Sequence, residues 1–374
     1  MLFGADCLSP SASRVLASNS ENRRLIMQDS LFPDETDRVE AIQSHVKPGR
    51  STAPSRVGVE PQVADAQVTD LAKALPEAVR LGTSSWGFPG WAGVVWADEY
   101  KASQLAREGL PAYARHPLLR TVSLDRSFYK PLSSSEYATL AAQVPDDFRF
   151  VVKAPNLLSD AMLRGNQGRG MQRNEAFLDP EIAVREFVRP AMEGLGSKVG
   201  APVFQLSPLP ASMLARLPLV LADLSRMLEA LPSIRCVAPD GVVAVEVSNP
   251  ELVSPALAVV LREAGATYCL GLHAKMPPIE AQLPMLRALW PGPMVARWNL
   301  HRRHGAYGYE VAKDLYEPFD RLVDPDPETR DHLSRVIRGT AAAGHPVYVT
   351  INNKAEGSAP LSILALAEAV RKGL

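Results

Sequence analysis

From Val79 onward the chain alternates short apolar runs with longer stretches whose apolar residues recur at helical spacing. The runs predict strands at Arg80–Ser84, Arg120–Asp125, Phe148–Lys153, Val203–Leu206, Val242–Val247, Ala266–Leu272, Met294–Asn299 and Val347–Ile351. Between them the periodicity predicts helices at Ser103–Arg115, Ser134–Gln143, Pro180–Leu195, Pro210–Leu231, Pro250–Glu263, Ile279–Leu289, Pro327–Ala343 and Pro360–Arg371. Several begin with proline, whose fixed φ and missing N–H suit a first helical turn. Runs that are apolar throughout, rather than alternating, fit parallel strands covered by helices. Eight such units in series predict an α/β fold, a single TIM-type (β/α)8 barrel over residues 79–374. A doubly wound open sheet is the rival, but LGTSSW after the first strand carries neither GxGxxG nor a Walker pattern.

Residues 1–78 have a different character. They contain Phe3 and Phe32 but no Trp or Tyr, and Ser, Asp, Glu, Arg and Pro dominate stretches such as KPGRSTAPSRVGVEPQ. So little apolar surface does not offset the entropy of ordering. This segment is therefore expected to be a largely disordered extension with a short helix near Thr69–Ala78, with an over-extended gene start as the alternative.

Overall composition narrows the classes of function. A formal net charge of −1 over 374 residues gives no broad electrostatic attraction to nucleic acid or anionic membrane. Cys7, Cys236 and Cys269 show no CxxC spacing, so neither a zinc ribbon nor a disulfide framework is expected, and a reducing, cytoplasmic setting follows. No apolar run reaches the ~18–20 residues needed to span a bilayer.

In a barrel, chemistry sits where each strand ends and the loop to the next helix begins. Those positions form a polar series: Thr83, Ser84, Ser85 and Trp86; Asp125 followed by Arg126, Ser127, Phe128 and Tyr129; Lys153; Gln205; Glu246 with Ser248 and Asn249; His273 and Lys275; Arg297 and Asn299; Asn352 and Asn353. The last is the plainest. In PVYVTINNKAEGSAP a β-branched and aromatic strand gives way to two amides, Lys354 and Glu356 before Gly357 and a helix. A turn alone needs glycine and one asparagine, so the surplus polar groups predict the rim of a site.

Five segments, GTSSWGFPGWAG, FRFVVKAP, VFQLSP, VAVEVSNPE and VTINNKAEGSAP, resemble in sequence and order the recurring blocks of domain-of-unknown-function family 72, the YecE-like proteins. The resemblance spans Arg80 to the C-terminus and implies a TIM barrel; it brings no assigned reaction. The family's second-strand block commonly reads V-E-x-N-S-T-F-Y, whereas this chain has Val122-Ser123-Leu124-Asp125-Arg126-Ser127-Phe128-Tyr129. Ser123 stands in place of the usual Glu, Asp125 in place of Asn, and Ser248-Asn249 in place of an Arg-His after Glu246. Such departures point to a divergent subgroup.

Glu246 is the leading general acid/base, with Asp125 as a second carboxylate that could divide the roles; the alternative is a salt bridge that orders the mouth. Lys153 ends an apolar run, so its charge needs a partner. Two readings stay open for it: an ion pair with Asp125 or Glu246, or an ammonium that anchors substrate or moves a proton. Arg297 suits a bidentate contact to a carboxylate or phosphate, or pairing with those same two acids. Trp86, Trp91, Phe128 and Tyr129 could form an aromatic wall. The loop Leu163–Asn174 carries Arg164, Arg169 and Arg173 without an acid, as a basic lid over an anionic ligand or a solvated insertion would. His273, Glu246, Asp125 and Glu356 could share the mouth, yet there is no HxH or HExxH and the eighth strand ends in amides, which are weak ligands for transition metals.

The reading that follows is a cofactor-independent enzyme using carboxylate/lysine acid–base chemistry on a small polar or anionic substrate, of hydrolase or lyase/isomerase type. Glu246, Lys153 and Asp125 are the catalytic candidates. Arg297, Asn299, Gln205, Asn352, Asn353, Trp86 and Tyr129 are the candidates for substrate binding, and no metal ligands are assigned. Two rivals stay open: a metal-dependent phosphodiesterase or sugar isomerase-like barrel, and a non-catalytic barrel binding a metabolite or nucleic acid.

Overall fold

Strands that are apolar on both faces must be covered on both, and a closed ring achieves this with helices outside and side chains within. The computed structural model describes residues 58–164 and 171–373, and eight parallel strands close there into a barrel. They are β1 (Val79–Thr83), β2 (Leu119–Leu124), β3 (Arg149–Lys153), β4 (Val199–Leu206), β5 (Ala244–Val247), β6 (Thr267–Leu272), β7 (Met294–Trp298) and β8 (Val347–Ile351). Neighbours in sequence are neighbours in the ring, and β1 pairs with β8 to close it.

The strands fall where the apolar runs put them, with informative differences. β4 starts at Val199 rather than Val203, because Gly200 and Pro202 continue the strand instead of breaking it. At Gly200 a Cβ would come within 2.9 Å of both the Arg149 Cβ and the Tyr348 ring, so glycine is what lets the chains approach. The helix expected over Pro250–Glu263 is a 3-10 turn, Pro250–Leu252, followed by Pro255–Glu263, where the Ser254 side chain accepts from the Leu257 N–H and restarts the helix. Pro180–Leu195 is interrupted by a π-turn, Ala183–Val188, just ahead of Pro190, which has no N–H to donate. Helix Tyr309–Tyr316 carried no expectation.

Residues 1–57 of the N-terminal extension lie outside the described residues. Over 58–78 the chain forms helix Ala66–Ala74, with Asp65 accepting from the Val68 N–H and Leu71 buried. Gln62 and Ala97 donate backbone hydrogen bonds to Val95 and Glu60, tying this segment to the loop after β1. The arginine-bearing loop after β3 is an antiparallel hairpin, Met162–Arg164 with Met171–Arg173; its tip, 165–170, lies outside the described residues. Among the described residues no helix is long and apolar enough to cross a membrane.

Side chains alternate along a strand, so one set from each fills the barrel. Val151, Ala201, Val203, Val242, Ala244, Cys269, Val295 and Tyr348 form that buried core. Beneath it, Arg80 and Arg149 both pair with Asp240, at 2.7 and 3.0 Å, and the Tyr348 hydroxyl donates to the Asp240 carbonyl. Two residues further along the same faces come Lys153, Gln205, Glu246, Gly271, Arg297 and Thr350. The change from apolar to polar across one layer is what marks the upper end of the barrel.

Candidate functional site

Arg297 organises that polar layer. Its Nη1 donates to Gln205 Oε1 at 2.9 Å and to Glu246 Oε2 at 2.8 Å, and its Nη2 donates to both oxygens of Asp125 at 3.1 and 3.0 Å. One guanidinium from β7 therefore joins the ends of β2, β4 and β5. Burial works against a charge here, but Asp125 and Glu246 outweigh it and hold Arg297 protonated more firmly than usual. The pairing left open for Arg297 is made with both acids at once.

The two carboxylates are not equivalent. Glu246 is fully buried, with Asn299 Nδ2 at 3.4 Å from Oε1 and the Cys269 thiol at 3.9 Å from Oε2. Desolvation, and then the nearby Glu246 charge, raise the Cys269 thiol well above its ordinary range, so it stays protonated. Gly271 leaves the space: a Cβ there would stand 3.0 Å from Glu246 Oε1. Asp125 retains 10% side-chain exposure and is steadied by Ser123, whose hydroxyl donates to Oδ1 at 2.5 Å. Ser123 and Asp125, both departures from the family's second-strand block, thus support one another.

Lys153 is buried, with its ammonium 3.6 Å from the centre of the Phe128 ring, a close cation–π contact. The Ser127 hydroxyl bridges the Leu124 and Lys153 carbonyls at 2.8 and 2.6 Å, fixing the ends of β2 and β3 together. Within reach of the Lys153 charge lies a group that sequence reasoning missed, Asp160, whose Oδ1 accepts from the Ser207 hydroxyl. Burial raises the Asp160 carboxyl, while the Ser207 bond and the Lys153 charge oppose the rise. Asp160 follows a single helical turn, Asn156–Ser159, that left no periodic signal. His273 is buried and held near 4 by desolvation, with the charges of Lys275, Arg302 and Arg297 adding to the effect. It is neutral at neutral pH.

Not every candidate joins this centre. Asn353 Oδ1 accepts from the Trp91 indole N–H at 3.2 Å and from the Ala359 N–H at 2.9 Å, so it fastens the first loop to the last helix. Asn352 Oδ1 accepts from the Lys354 N–H at 3.0 Å. Lys354 is buried between the rings of Tyr309 and Phe319, and Glu356 accepts from the Asp326 N–H and pairs with Arg330. The opening polar run of the eighth loop is thus committed to holding loops together. Trp86 is 8% exposed at the end of β1, and Tyr129 stands at 36% on the rim. His304, in the loop after β7, bonds to the Tyr316 hydroxyl, which donates to Asp324.

Among the described residues no three His, Cys, Asp or Glu side chains are grouped to hold a metal ion. Between Asp125 and Glu246, the place two acids would offer a cation, the Arg297 guanidinium already supplies the positive charge.

A closed ring of eight parallel strands, with polar side chains gathered at their C-terminal ends, defines a (β/α)8-barrel protein. The chain belongs to the family described as Protein of unknown function DUF72, which matches residues 80–374. Among solved structures it is similar to a DUF72 family protein from Enterococcus faecalis V583, with 18% identity, coverage of 78% of this chain and 95% of that one, and a TM-score of 0.50. A DUF72 family protein from Thermotoga maritima MSB8 is similar at 19% identity, covering 78% and 98%, with a TM-score of 0.50. At such identities the likeness shows the fold alone. No curated protein matches the chain.

Proposed function

We propose that this barrel is an enzyme that works by acid–base chemistry on a small polar substrate held at the C-terminal ends of its strands. The observation that carries this is the unequal exposure of two carboxylates on one guanidinium, 10% for Asp125 and 0% for Glu246. A group that exchanges protons with substrate must reach it, so Asp125 takes the acid/base role. Glu246 acts as a positioning residue: it fixes Arg297, and Arg297 fixes Asp125. Lys153, at the end of the adjacent strand, supplies the second group able to carry a proton. Hydrolysis and lyase or isomerase reactions both need one proton removed and one delivered, which two such groups provide.

Incubation of a metabolite extract with wild type, Asp125→Asn and Glu246→Gln, followed by mass spectrometry, tests this. Wild type is expected to change specific metabolites, Asp125→Asn to leave them unchanged, and Glu246→Gln to act more slowly. Equal turnover by wild type and Asp125→Asn would remove Asp125 from the chemistry. A ligand that binds wild type tightly and is returned intact would replace the enzyme with a binding barrel.

A further inference from the structure

We infer that the ligand of this mouth is an uncharged, hydroxyl-rich molecule, a sugar or polyol, rather than a phosphorylated or carboxylated one. This rests on the mouth being the site, as proposed above. Two independent observations carry it.

The first is charge. At the strand ends Arg297 is paired with both Asp125 and Glu246, and the Lys153 charge acts on the Asp160 carboxyl. Arg297 has the forked geometry that would seize a phosphate or carboxylate, but both of its Nη atoms are committed to Asp125, Glu246 and Gln205. The remaining members of the layer are Ser84, Gln205, Ser248, Asn299 and Thr350, all uncharged, and His273, whose low proton affinity keeps it neutral. An anionic group would find both Arg297 Nη atoms already committed and would stand beside the exposed edge of Asp125.

The second is hydrogen bonding. Ser84 Oγ, Trp86 Nε1, Ser248 Oγ, Arg297 Nε and Thr350 Oγ1 are buried and have no hydrogen-bond partner. They come from β1, β5, β7 and β8 or the loops directly after them, so they lie toward the same end of the barrel. Buried polar atoms left unmatched are costly, and a cluster of them at one site marks where a ligand supplies the partners. The demands are mixed. Trp86 and Arg297 need acceptors, the Asp125 carboxylate needs a donor, and the three hydroxyls can use either. A ligand hydroxyl donates and accepts at one atom and satisfies all of these, whereas a phosphate group, mostly dianionic at neutral pH, is chiefly an acceptor and is repelled by the Asp125 carboxylate.

A saturation-transfer NMR screen of monosaccharides, alditols and their monophosphates, followed by calorimetric titration of the hits, tests the inference. At least one uncharged member is expected to bind, its monophosphate at least tenfold more weakly. Asp125→Asn, Ser248→Ala and Thr350→Val should each weaken it severalfold while the circular dichroism spectrum is unchanged. A monophosphate that binds more tightly than its parent, and is weakened by the same variants, overturns the uncharged ligand and leaves the proposed function standing. A screen with no uncharged binder, or binding indifferent to all three variants, overturns the inference; in the second case the site at the mouth falls with it.

Discussion

Arg297→Met gives the sharpest test of how this barrel is held together. The guanidinium makes hydrogen bonds to Gln205, Glu246 and both oxygens of Asp125, and is itself 3% exposed. Removing it leaves Glu246 fully buried without its counter-charge. Breaking a buried pair from one side costs about 3–5 kcal/mol, because the partner is stranded in the interior. Glu246→Gln is far milder: the amide oxygen still accepts from Nη1 and Asp125 still balances the arginine, so the cost is about 1–2 kcal/mol. With both replacements no charge is stranded at Glu246, and the double variant should fall short of the sum of the singles by about 1–3 kcal/mol. Urea unfolding followed by both circular dichroism and tryptophan fluorescence measures all three, and coincident transitions would justify two-state free energies. Costs that simply add, or an Arg297→Met variant within about 1 kcal/mol of wild type, would refute the assignment of Arg297 as the counter-charge of Glu246.

Other expectations follow from the same geometry. The His273 imidazole titrates near 4 rather than the ordinary 6.5, so between those values the unfolded chain binds more protons than the folded one. Stability should therefore drop as pH falls through that window, by up to about 3 kcal/mol from this residue. His273→Asn should flatten the pH dependence of the urea midpoint, and an unchanged profile would show that the imidazole is not kept neutral by burial. Asn353→Ala removes the acceptor for the Trp91 indole and the Ala359 N–H, at about 1–3 kcal/mol. It should also shift the Trp91 indole resonance; a loss under about 0.5 kcal/mol with that signal in place would mean water substitutes freely.

The barrel was legible because its strands are unbroken apolar runs bounded by prolines, glycines and charges, which depend on local sequence alone. The extra half of β4 was not, since Gly200 and Pro202 look like breakers until the packing of Arg149 and Tyr348 against them is known. Strand ends also located the polar layer, and they brought Asp125, Gln205, Glu246 and Arg297 together as a group. What they could not reveal was direction. Asn352 and Asn353 are adjacent in a strand end, yet Asn353 turns to Trp91 and the last helix, because helix Ala359–Arg371 needs an acceptor for its first N–H groups. Relative depth was equally hidden: Glu246 and Asp125 read alike in sequence, and only the closure of the ring buries one behind the other. Asp160 was invisible because its partner Ser207 lies beyond the hairpin and a whole strand–helix unit.

The arginine at the centre also sets a condition on assembly. Asp125 and Arg297 are 172 residues apart in the chain, and Gln205 and Arg297 are 92 apart. Contacts of such long range form only after the intervening units have found their places, since each must bear the entropy of closing the loop between its ends. A nascent or truncated chain ending before β7 would hold Asp125 and Glu246 without the guanidinium that pairs with both. The stretch from β7 onward thus supplies the cation that lets two carboxylates share one end of the barrel. A barrel built in this way gives both acids their shared counter-charge only when the ring is complete.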